Sequence, residues 1–261
     1  MPTGFLKIIA LFLMLMDHIT YFIPDMPEYF HWLGRLSAPI FIFCLVIGFT
    51  HTRDQKKYLF RLYIFSVCMG IFNLFLNTIY QERYFELTNN FFTPLFLIAL
   101  IIYLIIENNK KYWLLFLGWQ VISFIFIVIM VEFLCIPNLS SLLPTYMFYG
   151  TICANIIFIE GGILFVILGV IFYFTRNNKI NFSIFYIFFC IVIYFLDRRY
   201  GNMREIVGYL IPFGSEQWMM CGAFPFMLFY NGKKGIGLKY LFYIFYPLHI
   251  YLLYLIRMNL F

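Results

Sequence analysis

Long apolar runs separated by short polar breaks make up nearly the whole chain. A helix needs about 20 apolar residues to cross a hydrocarbon core ~30 Å thick. Runs of this kind fall at roughly 5–23, 36–51, 58–78, 91–106, 112–134, 158–175, 181–196, 205–230 and 239–257. The pattern predicts an all-α fold: a polytopic transmembrane helical bundle of about nine spans, forming a single integral-membrane domain over 1–261. Pro212 and Gly214 interrupt the eighth run, so its outer part is expected to be irregular or interfacial. The stretch 137–157 is only half apolar and carries Pro137 and Pro144. It reads either as a re-entrant or surface segment, or as a tenth span. The runs are too long and continuous for the short alternating segments of a transmembrane barrel. No internal repeat supports an inverted-repeat transporter.

Composition agrees with lipid as the main solvent. Hydrophobic residues make up 64% of the 261 residues and charged residues 11%, against about 45–50% and 25% in ordinary globular domains. Thirty-six Phe and 21 Tyr exceed what a soluble chain of this length can hide. Asp17 and His18 interrupt the first run and no small-x-small site follows it, so it is expected to be retained as a span. The net charge of +6 is spread over short loops without a basic arm, which excludes a nucleic-acid partner. Twelve of the 18 Lys and Arg fall on one side of the alternating spans. That bias puts the N-terminus in the cytoplasm and the C-terminus outside. The six Cys lie singly, with no metal-ligand or redox spacing, and no metal site is expected.

Candidate chemistry comes from ionisable groups kept in the bilayer, where each is costly. Asp17 and His18 are adjacent in the first span and point about 100° apart, so each should meet a different partner. His18 is the candidate base; helix packing by Asp17 and a satisfied core His18 is the structural alternative. Lys7 lies eleven residues before His18, on the same helical face and about 16 Å away. A long phosphorylated carrier of the shape of acetyl-CoA could lay its phosphates on Lys7 and its reactive end near His18. Alternatively Lys7 only anchors the helix end. Arg35, in Gly34-Arg35-Leu36-Ser37-Ala38-Pro39, is within reach of Asp17 and is expected to bridge to it or to charge the site. His51, Arg53, Lys56 and Lys57 close the second span, as a topological signal or a phosphate-binding rim. Glu160-Gly161-Gly162 opens the sixth span, either to bind an acceptor amine or to mark a helix boundary. Asn89, Asn90 and Thr93 read as caps of the fourth span. His249 follows Pro247 in the last span, where a kink would place it beside a polar cavity.

These residues carry a resemblance. Leu6-Lys7-Ile8-Ile9-Ala10, Leu15-Met16-Asp17-His18 and Gly34-Arg35-Leu36-Ser37-Ala38-Pro39-Ile40-Phe41 resemble the start of the TraX family. Gly48-Phe49-Thr50-His51-Thr52-Arg53, Lys57-Tyr58-Leu59-Phe60-Arg61-Leu62 and Asn90-Phe91-Phe92-Thr93 continue it in order. Tyr230-Asn231-Gly232-Lys233-Lys234-Gly235, Lys239-Tyr240-Leu241-Phe242-Tyr243 and Tyr246-Pro247-Leu248-His249 match its end. The family's sixth span usually opens Asp-Tyr-Gly, where this chain has Glu160-Gly161-Gly162, and the region 131–157 is longer than the family pattern.

The resemblance implies a multi-pass acetyltransferase of the bacterial cytoplasmic (inner) membrane, using acetyl-CoA as co-substrate. Its acceptor would be a pilin-like N-terminal amine, as for the family's namesake, or a surface-glycan hydroxyl. Lys7 followed by ten residues and then His18 is also similar to the wider group of membrane acyltransferases. In the expected mechanism His18 deprotonates the acceptor. Asp17 shapes the field, and His249 acts as base partner or oxyanion donor. Lys7, His51, Arg53 and Lys57 hold the donor, and Arg35 and Glu160 the acceptor. An acetyl-His18 intermediate is the alternative chemistry. Two other classes stay open: a small-molecule or proton-coupled transporter using Asp17, His18, Glu160 and His249 as a relay, and a non-catalytic conjugation or secretion assembly factor.

Overall fold

The computed structural model describes residues 1–80, 86–133, 142–200, 216–237 and 239–260. The described elements are helical, with no strand among the described residues. They are α1 (Thr3–Phe22), α2 (Glu28–Gly34), α3 (Ser37–Thr50), α4 (Gln55–Tyr80), α5 (Phe92–Glu107), α6 (Lys110–Phe133), α7 (Leu143–Cys153), α8 (Gly162–Thr175) and α9 (Lys179–Tyr200). A 3₁₀ turn at Gln217–Ala223, α10 (Phe224–Leu228) and α11 (Lys239–Leu260) follow.

Among the described residues, six segments are long and apolar enough to cross a membrane: Thr3–Phe22, Glu28–Thr50, Gln55–Ile79, Lys110–Phe133, Lys179–Arg199 and Tyr240–Asn259. Their surfaces carry large exposed apolar side chains, such as Phe12, Leu114, Phe133 and Phe195. In water these would be a severe liability; in lipid they face their own solvent. The protein is a multi-pass helical membrane protein. Two further apolar helices, α5 and α8, have 16 and 14 residues. At about 1.5 Å per residue they reach only ~24 and ~21 Å, less than the hydrocarbon core. The second crossing begins at Glu28, well before the expected 36, because α2 leads into α3. Of the expected eighth span, 205–215 lies outside the described residues; its remainder is the 3₁₀ turn and α10 rather than one long helix. Within 137–157, residues 137–141 lie outside the described residues and α7 has 11 residues.

The chain divides into two compact units. The first draws on Met1–Gly48 and the described parts of 171–202 and 213–261. In it, α1 packs on α2 and on α11, and α9 packs on the 3₁₀ turn and α10. Its core is aromatic. Phe43 meets Phe172 and Phe182 edge-on, and the Phe182 ring stacks on Tyr186 and Phe224. The buried Tyr186 hydroxyl donates to the Met220 carbonyl at 2.5 Å, as a phenol in an apolar core must find an acceptor. The second unit is built on Phe49–Val170, with α4 against α5 and α7, and α6 against α7. Its buried cluster includes Ile127, Val131, Cys153 and Phe158.

Within the first unit, α1 and α11 run parallel. Lys7 faces Phe242, His18 faces His249, and the Phe22 ring meets Tyr254. Positions rise together along both helices, so both start at the same end. The start of α1 is held by 231–236: the Thr3 and Gly4 N–H groups donate to the Lys233 and Lys234 carbonyls, each at 2.9 Å. These donors have no partner inside their own helix, and the contact satisfies them.

Candidate functional site

Two imidazoles meet in the first unit. His18 Nδ1 lies 2.6 Å from His249 Nε2, with the rings near parallel and their centroids 4.9 Å apart. Both residues are about 95% buried, at 4% and 5% exposure. Phe22 and Tyr246 close around His18 edge-on, and Phe245 stacks on His249. His249 Nδ1 lies 2.7 Å from the Phe245 carbonyl, one turn earlier on α11.

That carbonyl fixes the direction of the chain of hydrogen bonds. A carbonyl oxygen only accepts, so His249 Nδ1 carries the hydrogen. Two imidazolium rings would set donor against donor across the 2.6 Å gap. With both rings neutral, His249 Nε2 accepts from His18 Nδ1–H, and the lone pair of His18 sits on Nε2. When Nε2 gains a proton, the positive ring still donates to His249. The arrangement is a base with an oriented partner.

Asp17, the neighbour of His18, is turned to a different partner. Its Oδ1 lies 2.9 Å from His31 Nδ1 in α2, an electrostatic contact rather than an aligned hydrogen bond. Arg35 Nη2 lies 2.6 Å from His31 Nε2. A guanidinium only donates, so Nε2 accepts and the His31 hydrogen is on Nδ1, toward Asp17. The expected link between Asp17 and Arg35 thus runs through His31. At Gly34 a Cβ would overlap the Asp17 side chain, so glycine permits this approach of α2 to α1.

Lys7 Nζ stands 5.5 Å over the Phe242 ring, within electrostatic range of Lys234. Lys233 and Lys234 are exposed at the same end of α1, which their carbonyls cap. Three lysines therefore gather at the start of α1. His51, Arg53 and Lys57 belong to the second unit. His51 Nδ1 is 3.4 Å from the Thr50 hydroxyl, and Arg53 is exposed. Lys57 pairs with Asp54 at 3.3 Å. The Lys57 backbone N–H, 3.0 Å from Asp54 Oδ1, holds that carboxyl below its ordinary value. Glu160, also in the second unit, accepts the Asn90 backbone N–H at 2.6 Å. Gly161 and Gly162 follow with φ of +72° and +51°, a left-handed turn that glycine adopts without strain and that releases the chain into α8.

The order of these blocks along the chain, and the polar residues they carry, agree with a sequence comparison. The model of the TraX protein family matches residues 3–257. The chain belongs to the TraX family. It is 29% identical over 261 residues to the "Probable fimbrial assembly protein FimC, serogroup H1" of Dichelobacter nodosus, covering 95% of this chain and 92% of that protein. No solved structure matches.

In this TraX-family chain, sequence reasoning left His249 two roles, partner of the base or oxyanion donor, and missed His31. A histidine among Glu28, Tyr29 and Trp32 is unremarkable in a polar stretch; its spacing of four from Arg35 on one helix face was the available signal. Lys233 and Lys234 were legible as charge but not as neighbours of Lys7, since that proximity needs the fold.

Proposed function

We propose that this protein is a membrane-embedded acetyltransferase that moves acetyl from acetyl-CoA to an amine, such as a pilin N-terminus, or to a hydroxyl. The observation that carries the reading is the His18–His249 pair, whose tautomers leave a basic Nε2 on a ring oriented by a second imidazole. The three lysines at the start of α1 fit the phosphates of a nucleotide-bearing donor: Lys7, expected there, is joined by Lys233 and Lys234, and these three replace the expected set of Lys7 with His51, Arg53 and Lys57, the last three of which belong to the second unit. The thioester supplies an activated acyl carbonyl. His18 Nε2 takes the proton of the acceptor N–H or O–H as that atom attacks, and returns it to the departing thiolate. His249 receives the hydrogen bond of the His18 ring throughout and stabilises its charged form. The Asp17–His31–Arg35 contacts hold α2 against α1 and fix the helix that carries His18. The bacterial cytoplasmic membrane, with the lysine end of α1 facing the cytoplasm, gives the donor access from the compartment where it is made.

A second reading has its own observation: the relative's name speaks of fimbrial assembly and not of transfer. In that reading the polar residues fix packing and the protein is an assembly factor.

One experiment separates the two. Purified protein is incubated with acetyl-CoA and candidate pilins or surface glycans, and the acceptors are weighed by mass spectrometry. The transferase reading expects one added acetyl group with wild type and none with size-homogeneous His18→Ala. Pilus assembly that survives His18→Ala, with no acetylated acceptor from wild type, establishes the assembly reading instead.

A further inference from the structure

The start of α4, in the second unit, carries charge that the transfer reading leaves unassigned. At about 100° per residue, Lys57, Phe60, Arg61, Ile64, Cys68 and Ile71 fall on one face of this helix. The opposite face is committed to protein. Ser66, Met69, Asn73 and Asn77 are buried there, on the side that packs on α5 and α7. Asn77 bonds both the carbonyl and the N–H of Leu87, at 3.0 and 2.8 Å. The first face is open. Phe60 is 66% and Ile71 53% exposed, and Ile64 and Cys68 are exposed with them. Lys56, off this face, turns toward Tyr103 and Glu107 of α5.

The cations at the head of the open face outnumber the acid beside them. Arg53, Lys57 and Arg61 stand against Asp54, which pairs with Lys57 at 3.3 Å and reaches Arg61 only through its field. The Arg61 guanidinium lies 5.5 Å from the centroid of the Tyr58 ring. Its Nε is buried with no hydrogen-bond partner among the described residues. A guanidinium keeps its proton and only donates, so beside hydrocarbon it calls for an anion. From Arg61 to Ile71 the face runs ten residues, about 15 Å. That is half of a ~30 Å core, the depth of one leaflet. A phosphate on a hydrocarbon chain matches both ends of the face. A soluble phosphate leaves the apolar stretch uncovered, and a zwitterionic headgroup sets its own ammonium against Arg53 and Lys57. A second copy related by an axis along the membrane normal would set Arg61 against Arg61. We propose that this face of α4 binds one anionic phospholipid, with its phosphate on Arg61 and Lys57 and an acyl chain along Phe60, Ile64, Cys68 and Ile71. The inference stands on the second unit alone and needs no acetyl transfer.

The test uses the detergent-purified full chain and native mass spectrometry, which counts bound lipids as they are titrated in. Wild type is expected to retain one phosphatidylglycerol at concentrations where phosphatidylcholine with the same chains is lost. Arg61→Gln should weaken that retention about tenfold, the loss of one charge-assisted hydrogen bond. Lys57→Gln should weaken it about fivefold, as for one basic residue at an anionic membrane surface. Arg61→Lys keeps the charge without the fork and should fall between wild type and Arg61→Gln. Glycerol 3-phosphate and coenzyme A carry phosphate without the chains and should not displace the lipid. His18→Ala should retain phosphatidylglycerol as wild type does, so a failed transferase reading leaves this result standing. Equal retention of the two lipids, displacement by either soluble phosphate, or retention unchanged in both Arg61→Gln and Lys57→Gln overturns the proposal. A dimer that forms without lipid and is lost in Phe60→Asn gives the face to a second copy and overturns it as well. Should Arg61→Gln fail to fold, the titration of Lys57→Gln, whose side chain is exposed, decides.

Discussion

At the scale of single residues, the hydrogen-bond direction in the first unit makes a prediction that mere burial does not. His249 has to accept from His18 Nδ1–H. A glutamine at 249 retains an acceptor, while a leucine retains none. Transfer activity of His249→Gln should therefore exceed that of His249→Leu, with both below wild type. His18→Ala and His18→Gln should each lose about 10²–10⁴-fold, since neither side chain can take a full proton near neutral pH. Steady-state rates on size-homogeneous proteins check the order; equal activity of the two His249 variants would mean that the ring orientation does nothing. His31 calls for a different measurement. Removing it by His31→Leu leaves Asp17 and Arg35 without the ring that joins them, a loss of about 1–3 kcal/mol. Thermal unfolding should drop while the donor KM stays near wild type, because the contact lies between α1 and α2 and not at the lysines. His18 and His249 were legible in sequence because an imidazole inside an apolar run is costly wherever it points. That they face each other was expected only through the resemblance, as one of two roles for His249; 231 residues separate them, and the parallel packing of α1 and α11 brings them together.

At the scale of elements, the long helices follow from apolar length alone, and α1, α4, α6, α9 and α11 lie close to where the runs predict them. The short ones follow it less closely. α5 lies within a residue of the run 91–106 but is short for a crossing, and α8 begins four residues into the run 158–175; each starts after an irregular buried segment. Those segments are held by side chains: Asn77 on Leu87, Glu160 on Asn90, and Gln120 on the Ala154 carbonyl and the Ile156 N–H. Hydropathy averages over such residues, whereas their spacing on α4 was there to be read. The two-way bond of Asn77 to Leu87 is the element most open to test. Asn77→Leu keeps the size of the side chain but leaves a buried N–H and a buried carbonyl unpaired. The expected cost is about 2–6 kcal/mol, at ~1–3 for each orphaned group. Chemical unfolding and protease cleavage between Asn77 and Phe91 should both report it. Asn108→Ala, at the left-handed end of α5, should cost far less, since only backbone strain of about 1 kcal/mol is at stake.

At the scale of the whole molecule, the parallel course of α1 and α11 bears on topology. Helices that both cross a membrane and run parallel have their first residues on one face and their last on the other. The contacts that establish the course are spread over the length of α1: Thr3 on Lys233, Lys7 on Phe242, His18 on His249 and the Phe22 carbonyl on Arg257 Nη1. The direction comes from charge. The lysine end collects Lys7, Lys233 and Lys234, and the far end of α11 carries only Arg257 among basic residues of its last turn. Positive loops stay in the cytoplasm. A reporter active only in the cytoplasm should therefore work when inserted after Lys234 and fail when fused beyond α11. A reporter active only outside should do the reverse. Replacing Lys233 and Lys234 by glutamine should weaken the bias without touching the backbone carbonyls that cap α1, so the fold should persist while a minority of chains inverts. The two fusions reporting the same side would break the parallel arrangement itself. Both reporting reversed sides would keep the arrangement but move the lysine end away from any cytoplasmic donor, and acetyl transfer from acetyl-CoA would lose its access route.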